Sequence, residues 1–496
     1  KRRNMWVILY DEGMYPSGSS AGQVVAENPA FACRGWVAVD LTTASPESEI
    51  QGVRIDAQLQ VQLNATQTLI AEVERRHDGH RLAIVDQPIH TTIRGLHFTE
   101  KDPPRREDQR EVDECHPLAA DLLNPDAMIC FINKVYQRYY DEFSEYFGTT
   151  IRAIFTDEPS LLGKHDRPPG WVVRPGTRDA LVHINRFLQY DFTFYLPTLW
   201  DDQEPQAEKY RADYNRAIKA RLEETYYEPI SAWCRQHGVQ LAGHPDASDD
   251  IGILRHFDLP GQDLVLRYVE PGKATALEGG HSTMGKCASS AMVHLGAKRN
   301  SNEFAGAYGH QLTFTEYRWL AIWLLIRGCN LLIPHAFYYS IRGPRIDERP
   351  RDVGLHSPWW GNYARFSDLT RKICWLNTDS QQVCGTAILG LSDFLPWEAA
   401  KVCFQHQHDF NYLTIEDLLR RVERARDGLR IAGMTYRALI VEPAVMDRLS
   451  GEERNLIADI ESQGQVLRWK GVEETLGSVE GYGSDFRECG RVWKQL

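Results

Sequence analysis

The chain has no run of the roughly 20 apolar residues that a membrane-spanning helix needs. Its longest apolar stretch, Trp319–Ile326, ends at Arg327, so no membrane partner is expected. It has no C-x-x-C pair either: the ten cysteines stand singly at 33, 115, 130, 234, 287, 329, 374, 384, 403 and 489. Most lie inside apolar segments, as Cys130 and Cys329 do. That spacing argues against a disulfide scaffold or a zinc cluster and predicts buried thiols in a reducing compartment. Positive charge is in deficit, with 56 Lys and Arg against 68 Asp and Glu and a net charge of −12. Such a surface repels phosphate backbones, so nucleic acid is excluded as a partner. The basic start Lys1-Arg2-Arg3 is followed only by the short apolar run Met5–Tyr10, less than the about 7–15 residues of a signal h-region. A cytoplasmic location is expected on these grounds. Also missing are H-x-H and H-E-x-x-H, a G-x-S-x-G nucleophile elbow, and a G-x-G-x-x-G loop after a strand.

What is present is enough chain for two or three domains: 496 residues, 43% hydrophobic and 25% charged, an ordinary globular composition. The 13 Trp and 21 Tyr serve a large core or surfaces that stack on ringed ligands. Strand, polar loop and helix follow one another repeatedly. MWVILY, IRAIFTDEPS, VQLAGH, DLVLRYV and NLLIPHAFYYS read as apolar strands that run into polar residues. Helices are expected from Asn124-Pro125 to about Phe147, over 206–237, over about 282–296, and around Thr315–Arg327, with Asn124 as N-cap and Pro125 in the first turn. Alternation of this kind predicts parallel strands with helical crossovers. From about 37 to 98 the segments alternate polar and apolar instead, as in VRIDAQLQVQL, and predict an antiparallel insertion. Residues 99–116 are charged, contain Pro103-Pro104 and read as a loop. From about 381 a second strand–helix series begins, with DLLRRVERARDGL expected as a helix.

Ionisable residues gather where strands end: Asp11, Glu12, Asp157, Glu158, His244, Glu303 and His335. In a (β/α)₈ barrel that rim carries the active site; a doubly wound sheet also binds ligands at strand C-termini, but the missing glycine fingerprint weakens a dinucleotide fold. Glu158 leaves an apolar strand between Asp157 and Pro159, and burial beside another carboxylate favours the proton that a general acid must carry. Capping a loop or pairing with an Arg explains it equally well. Glu303 precedes the small residues of FAGAYG, with Glu270 and Glu278 as competitors that the residues alone do not rank. Two carboxylates on such a rim suit glycoside hydrolysis. Tyr15, Trp171, Phe337, Tyr338, Trp359 and Trp360 are available as sugar platforms, although each aromatic is more often core.

YDEGMYPSGSSAGQVV, TIRGLHF, FTDEPS, LAGH, RNSNEFAGAYG and NLLIPHAFYYSIRGPR…HSPWW, in this order over about residues 5–375, resemble glycoside hydrolase family 106, α-L-rhamnosidases and their relatives. The resemblance implies a (β/α)₈ TIM-type barrel working by inversion. In it Glu158 matches the general acid and Glu303 the general base. It implies substrate contacts from Asp11, Glu12, Tyr15, Asp157, His244, His335, Tyr338 and Arg342. It also implies calcium near the sugar, with no ligands assigned. The chain departs from that family by lacking the first two strand–helix units. It is then either a fragment or a barrel closed differently. The expected architecture is thus a barrel over 1–36 and 99–380, a β-rich insertion over 37–98, and a small Rossmann/flavodoxin-like α/β domain over 381–496. Two other functions compete: a non-catalytic carbohydrate-binding protein on a degenerate barrel, and a metal-dependent hydrolase using His244, His335 and Asp157.

Overall fold

The computed structural model describes residues 5–93, 117–338, 352–463 and 466–468. The chain forms two compact units that meet in sequence at Leu241/Ala242.

In the first unit, strand β1 (Val7–Tyr10) pairs in parallel with a strand far along the chain, Ile151–Asp157. The intervening chain first builds the expected antiparallel insertion. Strands β2 (Arg34–Asp40), β3 (Thr68–Glu74) and β4 (Arg81–Pro88) form a sheet in which β4 lies between β3 and β2. Val37, Val39, Ala83 and Val85 alternate onto its buried face, the period-two pattern that a half-buried strand requires. Helix α1 (Pro125–Ile132) starts as its sequence predicts: the Asn124 side chain accepts from Asp126 N at 3.0 Å, with Pro125 in the first turn. Helical turns continue to Tyr146. Gly148, at φ 70°, reverses the chain, which then enters β5 (Ile151–Asp157). Strand β6 (Arg174–Pro175) joins the insertion sheet on the free side of β2. Helix α2 (Ala207–Leu222) buries Tyr214, Ala217 and Ile218.

The unit boundary falls in β7 (Gln240–His244). Four strands then pair in parallel in sequence order: β7, β8 (Leu259–Val265), β9 (Ser301–Gly306) and β10 (Leu331–Pro334). Between them run helices α3 (Met284–Leu295), whose small residues are almost all buried, and α4 (Phe314–Leu325). Thr313 and Glu316 close a reciprocal capping box at the start of α4, a device that stabilises a helix N-terminus by about 1 kcal/mol. Helix α5 (Trp360–Asp379) follows. Leu264 and Phe304 bury completely against Tyr317 and Leu320 of α4, and each such side chain contributes about 1.5–3 kcal/mol. Counting both units, six parallel strands alternate with helices, the pattern of a partial TIM-like barrel.

Three boundaries differ from the sequence expectation. The strand placed at 263–269 lies at Leu259–Val265, because Leu266 and Arg267 adopt φ of 54° and 55° and leave the extended region. Glu303, expected where a strand ends, stands inside β9, which runs on to Gly306. Burial of Phe304 draws the strand onward until Ala305 and Ala307, at φ 68° and 49°, turn it out of register. The helix expected over 417–429 stops at Arg420. The rest folds into an antiparallel meander, Glu423–Ala425, Gly428–Ile431 and Met434–Tyr436, around turns at Asp427-Gly428 and Gly433. Gly428 requires its missing side chain: a Cβ would lie 2.4 Å from Tyr436 O.

The C-terminal strands β11 (Thr386–Gly390), β12 (Asn411–Thr414), β13 (Ala438–Val441) and β14 (Val466–Arg468) form a parallel sheet in the spatial order β12-β11-β13-β14. Within the second unit α3 is tied to this sheet. Lys286 pairs with Asp409, Ser290 Oγ accepts from Tyr412 N at 2.9 Å, and His294 Nε2 lies 2.7 Å from the Tyr436 hydroxyl. Burial pushes the His294 imidazole down to about 4, so it acts here as a neutral hydrogen-bonding ring. All eight described cysteines are free thiols.

Candidate functional site

The first unit gathers its candidates where β1 and β5 end. Asp11 follows β1 directly and is fully buried. Ser17 Oγ donates to one of its carboxylate oxygens and the Tyr136 hydroxyl, at 2.6 Å, to the other. Burial pushes its carboxyl up to about 6 in spite of these bonds. Ser17 also ties its own loop to β5: its N–H donates to Asp157 O at 2.9 Å, and its hydroxyl accepts from Asp157 N at 2.8 Å. Asp11 is thus an internal brace. Glu12 and Asp157, the residue that ends β5, are half-buried beside it.

Glu158 comes next and adopts φ 38°, a left-handed conformation that costs a non-glycine residue about 1–2 kcal/mol. The Tyr15 hydroxyl donates to its Oε2, and Lys164 Nζ lies 3.5 Å from the same oxygen. Lys164 also sits 5.2 Å from the centre of the Tyr15 ring. One carboxylate oxygen is therefore held by a phenol and an ammonium, on a backbone bent out of its easy range. Strain of this kind concentrates at working sites.

The second unit gathers its candidates on β7, β9 and the end of β10. Glu303 is 4% exposed. His335 Nδ1 lies 3.1 Å from its Oε1, and His244 Nε2 lies 3.8 Å from its Oε2. Glycine clears the space for this contact. A Cβ on Gly306 would meet His335 Nδ1 at 2.8 Å. A Cβ on Gly261, on the strand between β7 and β9, would lie 1.8 Å from Ser301 O and 2.7 Å from Gly243 O. At Gly261 the missing side chain lets the backbones of the three strands close on one another. His335 is 37% exposed at its side chain and marks the solvent side of the group.

Downstream, the Tyr338 N–H donates to Asp352 Oδ1 at 3.1 Å, as the Gly354 N–H does at 3.0 Å. Phe337 and Trp360 are both exposed, with ring centres 6.2 Å apart, and offer an apolar face beside His335. Trp359 packs on Phe314 and Tyr317 instead, and Trp171 packs into the insertion, filling the space next to Gly52. The two competing glutamates are in ion pairs: Glu270 with Arg267 at 3.0 Å and Glu278 with Lys401 at 2.6 Å. Arg342 and the 94–98 part of TIRGLHF lie outside the described residues. Among the described residues no group of three His, Cys, Asp or Glu could hold a metal ion. Among those residues the metal-dependent reading on His244, His335 and Asp157 has no such group behind it. No described helix is long and apolar enough to cross a membrane.

Sequence reasoning passed over Lys164, Tyr136, Gly261, Gly306 and Asp263. Asp263 stands opposite Glu303 in the β8–β9 register. Its only sequence signal is a charged residue in front of Leu264, which becomes legible once the strand is moved to 259–265.

No family model and no curated protein matches the chain. Among solved structures it is similar to a rhamnosidase from Novosphingobium sp. PP1Y, with TM-score 0.56 and 15% sequence identity over 83% of this chain and 39% of that one. The chain thus spans about two fifths of that rhamnosidase. It is also similar to a catalytic mutant of Gan42B, a GH42 beta-galactosidase from G. stearothermophilus, with TM-score 0.45 and 9% identity over 75% of this chain and 57% of that one. For a beta-galactosidase from Rahnella sp. R3 the values are 0.42 and 8%, over 69% and 57%. At these identities the likeness to the rhamnosidase is one of fold.

Proposed function

We propose that the chain is a glycoside hydrolase acting on a terminal sugar with inversion, rhamnosidase-like in substrate. The observation that carries this reading is the pair of glutamates, each on or just after a parallel strand and each with groups of other types beside it: Glu158 with Tyr15 and Lys164, Glu303 with His335 and His244. The fold likeness to a rhamnosidase supports it. In this reading Glu158 protonates the leaving oxygen. Glu303 takes the proton of a water that attacks the anomeric carbon from the opposite face. His335, Tyr338 and Arg342 contact sugar hydroxyls, and Phe337 and Trp360 cover an apolar sugar face. The C-terminal sheet, ordered 2-1-3-4 by strand, is read as a flavodoxin-like domain that braces α3.

The test is turnover of aryl α- and β-glycosides, led by aryl α-L-rhamnoside, by the wild type, Glu158→Gln and Glu303→Gln. Loss in both variants, with product of inverted configuration, is the expected result. Inversion also requires carboxyl groups roughly 6.5–9.5 Å apart in a crystal structure. Sugar binding without turnover in the wild type would replace this reading with that of a carbohydrate-binding protein.

A further inference from the structure

We propose that Asp263 is a second carboxylate at the reacting water, working beside Glu303; this rests on the reading of Glu303 as general base. In the parallel pairing of β8 and β9, Asp263 stands opposite Glu303, and Leu264 opposite Phe304. Opposed residues of a parallel pair project from the same face, and successive residues alternate. Leu264 and Phe304 are both fully buried under α4, so Asp263 and Glu303 share the other face. The strands are about 4.8 Å apart, which makes the two carboxyls immediate neighbours. On the far side of Glu303 the register gives Ile333, so Asp263 is its acidic neighbour within the sheet. Among the described residues, Asp263, His244 and His335 are placed around Glu303.

Like charges side by side on adjacent strands are destabilising, and an apolar residue at 263 would pair with Glu303 at lower cost. Asp263 is also less buried than Glu303, and the His335 side chain is partly exposed to solvent. A water on this face can give one O–H to Glu303 and the other to Asp263. As its oxygen bonds to the anomeric carbon, the bond from that carbon to the leaving oxygen breaks. The leaving oxygen takes the proton of the acid, and the water's first proton passes to Glu303. Asp263 keeps its hydrogen bond to the second O–H, which becomes the new sugar hydroxyl.

The test is kinetics of Asp263→Asn, which is isosteric, and Asp263→Glu, which keeps the charge and displaces the oxygens, on whichever aryl glycoside the wild type hydrolyses. For Asp263→Asn, kcat should fall about 10- to 100-fold with KM changed by less than about threefold, the signature of an interaction made in the transition state. The acid limb of its pH–rate profile should move to lower pH, because a negative neighbour no longer opposes ionisation of Glu303. Asp263→Glu should keep the limb in place and still lose kcat, which keeps the inference testable if the neutral variant does not fold. Wild-type kcat and an unmoved limb in Asp263→Asn, while Glu303→Gln is inactive, would overturn the role of Asp263 alone; so would a rise in KM with kcat unchanged. No glycoside turnover by the wild type, or full activity in Glu303→Gln, would overturn the reading of Glu303 and this inference with it.

Discussion

The two glutamates are held in opposite ways. Glu158 sits just past a strand, on a backbone at φ 38°, and a loop phenol and a loop ammonium reach it from one side. Glu303 sits within a strand, in extended backbone, and two imidazoles lie near it, that of His335 in space that Gly306 leaves open. One position is shaped by a bent main chain, the other by atoms that are missing. The difference teaches where each is vulnerable. The first depends on two loop side chains that meet one of its oxygens. The second is set by strand-to-strand contacts that cannot yield.

The sharpest way to break the comparison is Gly261→Ala. With Ser301 O at 1.8 Å from the new methyl, β8 and β9 cannot stay paired, and overpacking of this kind costs several kcal/mol. The second unit should lose its cooperative melting transition in differential scanning calorimetry, while the Gly52→Ala variant, confined to the insertion, should keep it. Next comes Gly306→Ala. Its methyl meets an imidazole and no backbone, so the ring can swing away. Activity should fall about 10- to 100-fold with a loss of stability near 1 kcal/mol, a split that paired kinetics and thermal melts would show. A melting loss as large as that of Gly261→Ala would mean the ring has no room to move.

On the other side, Tyr15→Phe removes one hydrogen bond to a carboxylate, worth about 1.5–3 kcal/mol. It should lower kcat about tenfold and the melting temperature of the first unit by several degrees; an unaltered kcat would show that the phenol only lines the loop. The smallest effect is one of pH. Burial raises the Asp11 carboxyl to about 6, so the folded chain binds more protons there than the unfolded one. Stability is lost as pH rises from about 4 to about 6. Asp11→Asn does not titrate, so its melting temperature should gain on that of the wild type across this window and run parallel to it above. A constant gap would place the ionisation of Asp11 elsewhere.

Much of this was readable in the residues. Asn124-Pro125 announced a helix start, and the alternation of apolar strands and helices announced parallel pairing, because both depend on local chemistry. The stop of the 417–429 helix at Arg420 was hidden. Its charged residues are good helix formers, and only the buried contacts of Leu429 and Tyr436 in the meander override that preference. Asp11, Glu158, His244 and Glu303 could be singled out as polar residues beside apolar strands. Several of their partners could not: Lys164, Tyr136 and Asp263 meet them through register and long-range pairing, which composition and spacing do not encode. The shift of β8 to Leu259–Val265 shows the cost, since Asp263 stands opposite Glu303 only in that register.

Gly261 and Gly306 also offer a way to sort relatives of this chain. A protein that keeps the glutamate but carries a side chain at Gly306 would crowd the imidazole beside it, and one with a side chain at Gly261 would lose the strand pairing that positions it. Screening such sequences for these two hydrogens, before looking for the acid itself, would separate working copies from silent ones.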